Sequence, residues 1–243
     1  GRLPLLITLS ALFFVGSAAV GAVLKALFLA GLLILSLGAS LGASFLLSKT
    51  VLRGMPSAFA LELPPYRIPR VGQVLARSVL DRTLHVLGRA AAVAAPAGVL
   101  IWCLGNVAVS GQNLLGWCAG FLDPLARPFG LDGAILLAFL LALPANELVL
   151  PLLLMIYLSQ GALTQAGDLG ALHGLLLENG WTWMTALCVM VFSMFHWPCS
   201  TACWTIWKET RSLKWTGVSF LLPTALGLAL CYLLAALGRA LGV

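Results

Sequence analysis

The chain has 243 residues, of which 61% are hydrophobic and 9% are charged, and its mean hydropathy is +1.03. A soluble domain carries about 25% charged residues, so this composition excludes a soluble protein and predicts an all-α, polytopic transmembrane helical bundle. The formal net charge of +6 does not indicate a nucleic-acid partner, because the basic residues lie mostly in two short segments between apolar runs. That pattern is typical of cytoplasmic loops beside a lipid bilayer.

Apolar runs mark the candidate spans in chain order. A transmembrane helix needs about 20 apolar residues, and four runs meet this length: 3–20, 22–48, 90–110 and 215–238. Two further runs, 131–158 and 181–207, are long enough but are broken internally by prolines. The stretch 112–129 is shorter and contains charged residues and prolines, which predicts an interfacial helix. The chain opens at Gly1 without an initiator Met, and we expect it to be the main part of a longer protein.

The basic segments set the expected orientation. Segments 49–89 and 208–214 are rich in Lys and Arg and should be cytoplasmic, and 70–89 has the pattern of an amphipathic helix on the inner membrane face. The loop 159–180 has no Lys or Arg, which permits an external position. If 111–130 and 159–180 are both external, 131–158 is a re-entrant or broken hairpin, or 112–129 adds a crossing.

The first polar cluster is ALPANELVLP, residues 142–151. Glu147 is an acidic residue in a long apolar run, where a charge costs about 2.5–3.5 kcal/mol, and such residues are functional candidates by default. Pro144 should leave the Leu140 carbonyl without its usual donor, and Asn146 adds an amide. These groups suit a cation. Alternatively, Glu147 caps the positive end of a half-helix that begins at Pro144.

The second polar cluster is FSMFHWPCSTACWTIWKET, residues 192–210. On a helix, His196, Cys199 and Cys203 fall within about 60° of one another. Pro198 should end the preceding half-helix near His196 and free the Met194 carbonyl. Thiolate, imidazole and carboxylate ligands suit a divalent transition metal. Taken singly, each residue has a structural alternative, since buried Cys is usually packing and buried His is often a hydrogen-bond donor.

The motifs of enzymes are missing from the printed sequence. It contains no GxxxxGK[ST], G-x-S-x-G or H-E-x-x-H, so we expect no nucleotide site of the P-loop type and no enzymatic activity in this piece. Cys103, Cys118, Cys188 and Cys231 lack polar neighbours and are interpreted as packing residues. A membrane scaffold, in which the polar groups join helices, and an intramembrane enzyme are further hypotheses.

ELPPYRIPRV, residues 62–71, resembles the carboxyl-terminal membrane half of the ferrous iron transport protein B (FeoB) family. Further matches follow in order along the chain: Ala145 to Val149, Pro198-Cys199, Lys208-Glu209-Thr210, Trp215 and Leu222-Pro223. The resemblance covers essentially the whole chain. It divides the chain into 1–52, the tail of a first gate region; 53–89, a cytoplasmic linker; and 90–243, the second gate region with the last spans.

The resemblance implies a transporter of Fe²⁺ in a bacterial inner or plasma membrane, with a pore built from paired gate segments. The metal site would comprise Cys199, Glu147, His196, Cys203 and Asn146, with Cys199 as the cysteine of the second gate. No cofactor is expected in this chain. GTP and Mg²⁺ would bind a missing amino-terminal GTPase domain, which is an expected partner together with the first gate segment and a small cytoplasmic FeoA-like protein.

Two departures from the family pattern bear on the metal site. Asn146 stands where the family has Lys, and His196 stands where many members have an apolar residue.

The alternative function is a gate-type transporter of a nucleoside or another small organic solute.

Overall fold

The computed structural model describes residues 2–13, 20–50, 72, 83–109, 111–163 and 168–241. Within these residues, ten α-helices have both ends defined, and a hairpin of two-residue strands, β1 (Ala108–Val109) and β2 (Gln112–Asn113), follows the third helix. The helices are α1 (Leu3–Phe13), α2 (Val20–Lys49), α3 (Leu84–Asn106), α4 (Leu114–Ala126), α5 (Gly133–Leu141), α6 (Val149–Tyr157), α7 (Leu169–Glu178), α8 (Trp183–Phe195), α9 (Ser200–Thr210) and α10 (Leu213–Leu241). The described part of the chain is thus an all-α bundle.

Four helical segments are long and apolar enough to cross a membrane: Gly21–Lys49, Val86–Asn106, Trp183–Thr210 and Leu213–Ala240. They confirm the predicted spans at 22–48, 90–110, 181–207 and 215–238. The span predicted at 3–20 is present only as α1, an apolar helix of eleven residues, and 14–19 lie outside the described residues. The expected amphipathic helix at 70–89 also lies mostly outside them.

The stretch predicted to be interfacial forms half of a bent pair. Leu114–Phe129 and Gly133–Leu141 meet at 106° and together are apolar enough for a broken span. Asp123 accepts a hydrogen bond from the Gly133 N–H at 3.2 Å and pairs with Arg127 at 2.6 Å. A bent pair of this kind is either a broken span or a re-entrant loop, so the added crossing at 112–129 stays a prediction.

Gly133 allows this bend. A Cβ at this position would lie 1.9 Å from the Ala119 carbonyl oxygen of α4, so a larger residue would force α4 and α5 apart. Asp132 caps the start of α5 by accepting from the Ile135 N–H at 2.6 Å. A tight interhelical contact and a side-chain cap thus fix the position of α5.

The core of the bundle consists of α5, α6 and α8, with α10 packed along α8. Phe139 of α5 meets Phe192 of α8 edge to face at 4.9 Å. Cys188 and Cys231 are fully buried between α8 and α10, which agrees with a packing role. By contrast, α2 and α3 are mostly exposed. The first break thus lies between two helices of the core, and the second break follows the core helix α8.

Candidate functional site

The first break separates α5 from α6. Helix α5 ends at Leu141, and a single 3-10 turn, Asn146–Leu148, precedes α6. This confirms that 131–158 is broken near Pro144. The Leu140 carbonyl is not free as expected, because the Leu143 N–H donates to it at 3.3 Å. A tighter turn thus replaces the bond that proline removes.

Glu147 lies in the 3-10 turn with its side chain exposed. The N-cap residues of this turn and of α6 are Ala145 and Leu148, and neither supplies a side-chain cap. Asn146 is half-buried, and its Oδ1 has no hydrogen-bond partner.

The second break separates α8 from α9. Helix α8 ends at Phe195, and α9 begins at Ser200 after the Pro198-Cys199 pair, as the sequence predicted. The His196 side chain is only 3% exposed, and its ring packs at 5.0 Å from Phe139. Its Nδ1–H donates to the Ser193 carbonyl at 2.8 Å. In a neutral ring, Nε2 is then the nitrogen that can bind a metal, which is the usual arrangement of a ligating histidine.

Cys199 and Cys203 lie on one turn at the start of α9. The Cys199 sulfur is 3.1 Å from the Thr201 hydroxyl, and the Cys203 thiol donates to the Pro198 carbonyl at 3.7 Å. His196 lies outside this helix because residues 196–199 are not helical. Cys199 is the N-cap residue of α9, and its carbonyl accepts from the Cys203 N–H at 3.0 Å. The structure therefore keeps the two cysteines one turn apart, whereas His196 does not continue the predicted helical stripe.

The two breaks are in direct contact. The Ser200 N–H, at the start of α9, donates to the Leu143 carbonyl in the first break at 2.9 Å. Three of the four buried side-chain polar atoms without a partner in the described residues belong to residues within three positions of Leu143 or Ser200 in the sequence: Asn146 Oδ1, Trp197 Nε1 and Ser200 Oγ. Buried polar atoms are normally paired, so this cluster indicates a place for a polar ligand or water.

A cleft of about 630 Å³ reaches the second break from one side. We call it the serine cleft, because Ser36, Ser40, Ser44 and Ser48 of α2 line it, together with Arg2, His196 and Pro198. A second cleft, of about 520 Å³, lies beside the first break. We call it the alanine cleft, and its lining includes Ala94 and Ala97 of α3 with Pro144, Ala145 and Thr201. The serine cleft therefore adjoins the second break, and the alanine cleft adjoins the first break and Thr201 of α9. Leu143 and Ser200, which form the contact between the breaks, line a third cleft of about 500 Å³ together with Cys203.

The described residues contain no group of three or more His, Cys, Asp or Glu side chains close enough to hold one metal ion. Cys199 and Cys203 come together on α9, whereas Glu147 is on the other break. A metal bound here would need main-chain or hydroxyl oxygens, water or other protein segments to complete its coordination. The five predicted ligands thus stay a prediction.

The contact between Arg2 and Met194 was not predicted from the sequence. The Arg2 guanidinium donates to the Met194 carbonyl at 2.5 Å, which is the carbonyl that Pro198 was expected to leave free. No sequence pattern indicated this contact, because the two residues are 192 positions apart. The unpartnered Trp197 indole was also missed, although its place beside Pro198 marked it as part of the break.

Comparison with known proteins gives a consistent picture. Residues 29–81 match the family described as "Ferrous iron transport protein B C terminus", and residues 87–213, just over half of the chain, match the family described as "Gate: Nucleoside recognition". The chain is 28% identical over 206 residues to the Fe(2+) transporter FeoB of Staphylococcus aureus (strain MSSA476), covering 81% of this chain and 29% of that protein. It is 26% identical over 237 residues to the Fe(2+) transporter FeoB of Leptospira biflexa, covering 91% of this chain and 34% of that protein.

The chain spans about a third of the length of the curated relatives it matches. No solved structure matches it at a significant level. The similarity therefore covers the gate region and the residues before it, including both breaks.

Proposed function

The chain belongs to the ferrous iron transport protein B family, and on that premise we propose that it forms the permease part of an Fe²⁺ uptake transporter. It is a multi-pass membrane protein, and we place it in the bacterial inner or plasma membrane. The proposed metal ligands are Cys199, Glu147, His196, Cys203 and Asn146. The proposed partners are an amino-terminal GTPase domain that binds GTP and Mg²⁺, a first gate segment and a small FeoA-like protein.

The observation that carries this proposal is the contact between the two helix breaks. Discontinuous spans are where membrane transporters place their substrate sites, because freed main-chain groups and polar side chains meet there. Here the bond from Ser200 to Leu143 joins a break that carries Cys199 to one that carries Glu147, and both breaks contain unpartnered polar atoms. Sulfur, nitrogen and oxygen donors of this kind suit Fe²⁺.

We propose an order of events at the two breaks. The exposed Glu147 carboxylate attracts the hydrated cation at the first break. The Cys199 thiolate, half-buried at the start of α9, then replaces part of the hydration shell. The serine cleft adjoins the second break and the alanine cleft the first, and both offer volume for the ion.

Uptake of radioactive iron tests the proposal in cells that depend on the intact protein. We expect Cys199→Ser and Glu147→Gln each to lower the initial rate of Fe²⁺ uptake about tenfold or more, a loss of about 1.4 kcal/mol of ion stabilisation or more. Cys118→Ser and Glu178→Gln are matched controls, since they change the same residue types away from both breaks. Wild-type uptake by both test variants at normal expression would contradict the metal site.

A second candidate is a transporter of a nucleoside, favoured by the match of residues 87–213 to a family described by nucleoside recognition. Protection of Cys199 from alkylation separates the two functions. Iron transport predicts protection by Fe²⁺, with half-buried Cys118 as the internal reference. Protection by nucleosides and not by Fe²⁺ would favour the alternative.

A further inference from the structure

The carboxyl end of α8 presents carbonyl oxygens that its own helix cannot satisfy. Pro198 has no N–H, so it cannot donate to the Met194 carbonyl four residues earlier. The end of a helix also carries partial negative charge, which favours a cation. The cation that lies there in this structure is the Arg2 guanidinium, whose Nη1 donates to Met194 at 2.5 Å.

The surroundings of Arg2 are those of a cation site and differ from those of a surface arginine. The residue is half-buried, and within the described residues the single ion pair joins Asp123 to Arg127, so Arg2 has no carboxylate partner there. Buried arginines are usually paired with an acid. Arg2 and Met194 also line the same cleft as His196, a predicted metal ligand on this break.

The site that Arg2 occupies is open to the serine cleft. Arg2, His196 and Pro198 line the same cleft. The four α2 serines recur every fourth residue along it, so their hydroxyls are spaced about 6 Å apart along the helix axis. His196 is almost fully buried with Nδ1–H bonded to a main-chain carbonyl, which leaves Nε2 as the ligand atom of the neutral ring.

We propose that the Met194 carbonyl, beside His196 and Cys199, forms a cation subsite and that the Arg2 guanidinium occupies it. When the guanidinium leaves, a divalent metal ion binds the same subsite. The inference rests on the proposed function and adds a regulatory residue to it. Without the Arg2 guanidinium, the partial negative charge at the carboxyl end of α8 would be open to any small cation. Occupation by Arg2 closes the site until a metal ion competes successfully.

Co²⁺ titration of the purified protein in lipid nanodiscs tests this, because its absorption reports thiolate coordination. If the subsite is free about a tenth of the time, Arg2→Ala should bind Co²⁺ about tenfold more tightly than the wild type. Arg239→Ala is the matched control. Arg239 also donates to a main-chain carbonyl, that of Pro128, but it lies at the far end of α10, and its removal should leave Co²⁺ affinity unchanged.

Free guanidinium ion distinguishes occupation of the subsite from a general effect of charge. In Arg2→Ala, millimolar guanidinium chloride should fill the vacated subsite and bring Co²⁺ affinity back towards the wild-type value. Equal concentrations of NaCl or of uncharged urea should not do so. This readout compares additives on one variant, so it does not depend on how stable that variant is.

The outcomes separate the proposals. If Arg2 merely caps α8, Arg2→Ala lowers the unfolding temperature and leaves Co²⁺ affinity at the wild-type value, which overturns the inference alone. The same holds if guanidinium and NaCl act equally. If neither the wild type nor Arg2→Ala binds Co²⁺, the metal site of the proposed function is itself refuted.

Discussion

The two helix breaks share a cause and differ in their surroundings. Each follows from a proline, Pro144 in the first and Pro198 in the second. In the first, the acidic residue Glu147 is exposed and the backbone satisfies itself with a tighter turn. In the second, His196 and Trp197 are 3% and 5% exposed, and side chains satisfy the free carbonyls.

This difference shows how a membrane protein can place irregular backbone in two environments. A charge stays outside the core, because burying an unpaired carboxylate is costly. An imidazole can be buried when it donates a hydrogen bond and packs against rings, as His196 does with Phe139 and Phe192. The first break is thus suited to attracting a cation, and the second to holding a fixed geometry.

The strongest test of this contrast is removal of the buried ring. His196→Ala deletes a buried side chain and its hydrogen bond, so we expect it to lower the free energy of unfolding by about 2–4 kcal/mol. His173→Ala is the control. Its ring is only half-buried and meets Phe13 at 5.3 Å, so its loss should cost about 1 kcal/mol. Unfolding in mixed micelles measures both, and equal losses would mean that the second break is not the more rigid region.

A smaller effect tests the unpartnered indole. Trp197→Phe removes an N–H that has no acceptor while a ring can still stack on Phe220. Trp181→Phe removes an N–H that donates to the Tyr157 hydroxyl at 2.7 Å. Both lose similar volume, so we expect Trp181→Phe to be the more destabilising by about 1 kcal/mol. Equal losses on denaturant unfolding would show that the Trp197 N–H has a partner such as bound water.

The smallest expected effect on stability belongs to the first break. Glu147→Gln replaces an exposed carboxylate, so the free energy of unfolding should change by less than about 0.5 kcal/mol. The same unfolding assay applies. A loss above about 1 kcal/mol would mean that the carboxylate stabilises the fold. The contrast between an open and a rigid break would then fail.

The features that could be predicted are those that depend on residues close together in the sequence. Both breaks lie where Pro144 and Pro198 indicated, since proline removes a specific N–H wherever it stands. The order of spans followed from apolar length alone. The bend of 106° between α4 and α5 could not be predicted, because it depends on the close approach of Gly133 to Ala119 in another helix.

The candidate site was less predictable for the same reason. The positions of Cys199 and Cys203 on one turn followed from their spacing. The ring packing of His196 did not, because Phe139 comes from a different helix. The pairing of Arg2 with Met194 joins opposite ends of the sequence, and helical periodicity carries no information about such a contact.

The bond between the Ser200 amide and the Leu143 oxygen uses main-chain atoms only. An alanine scan through both breaks would leave it in place at every step, and an alignment column for either position would record side chains that take no part in it. The contact that ties the two halves of the gate together can therefore persist while the residues around it diverge. Ester substitution of the backbone at position 200, which deletes the N–H alone, is the chemical change that addresses it directly.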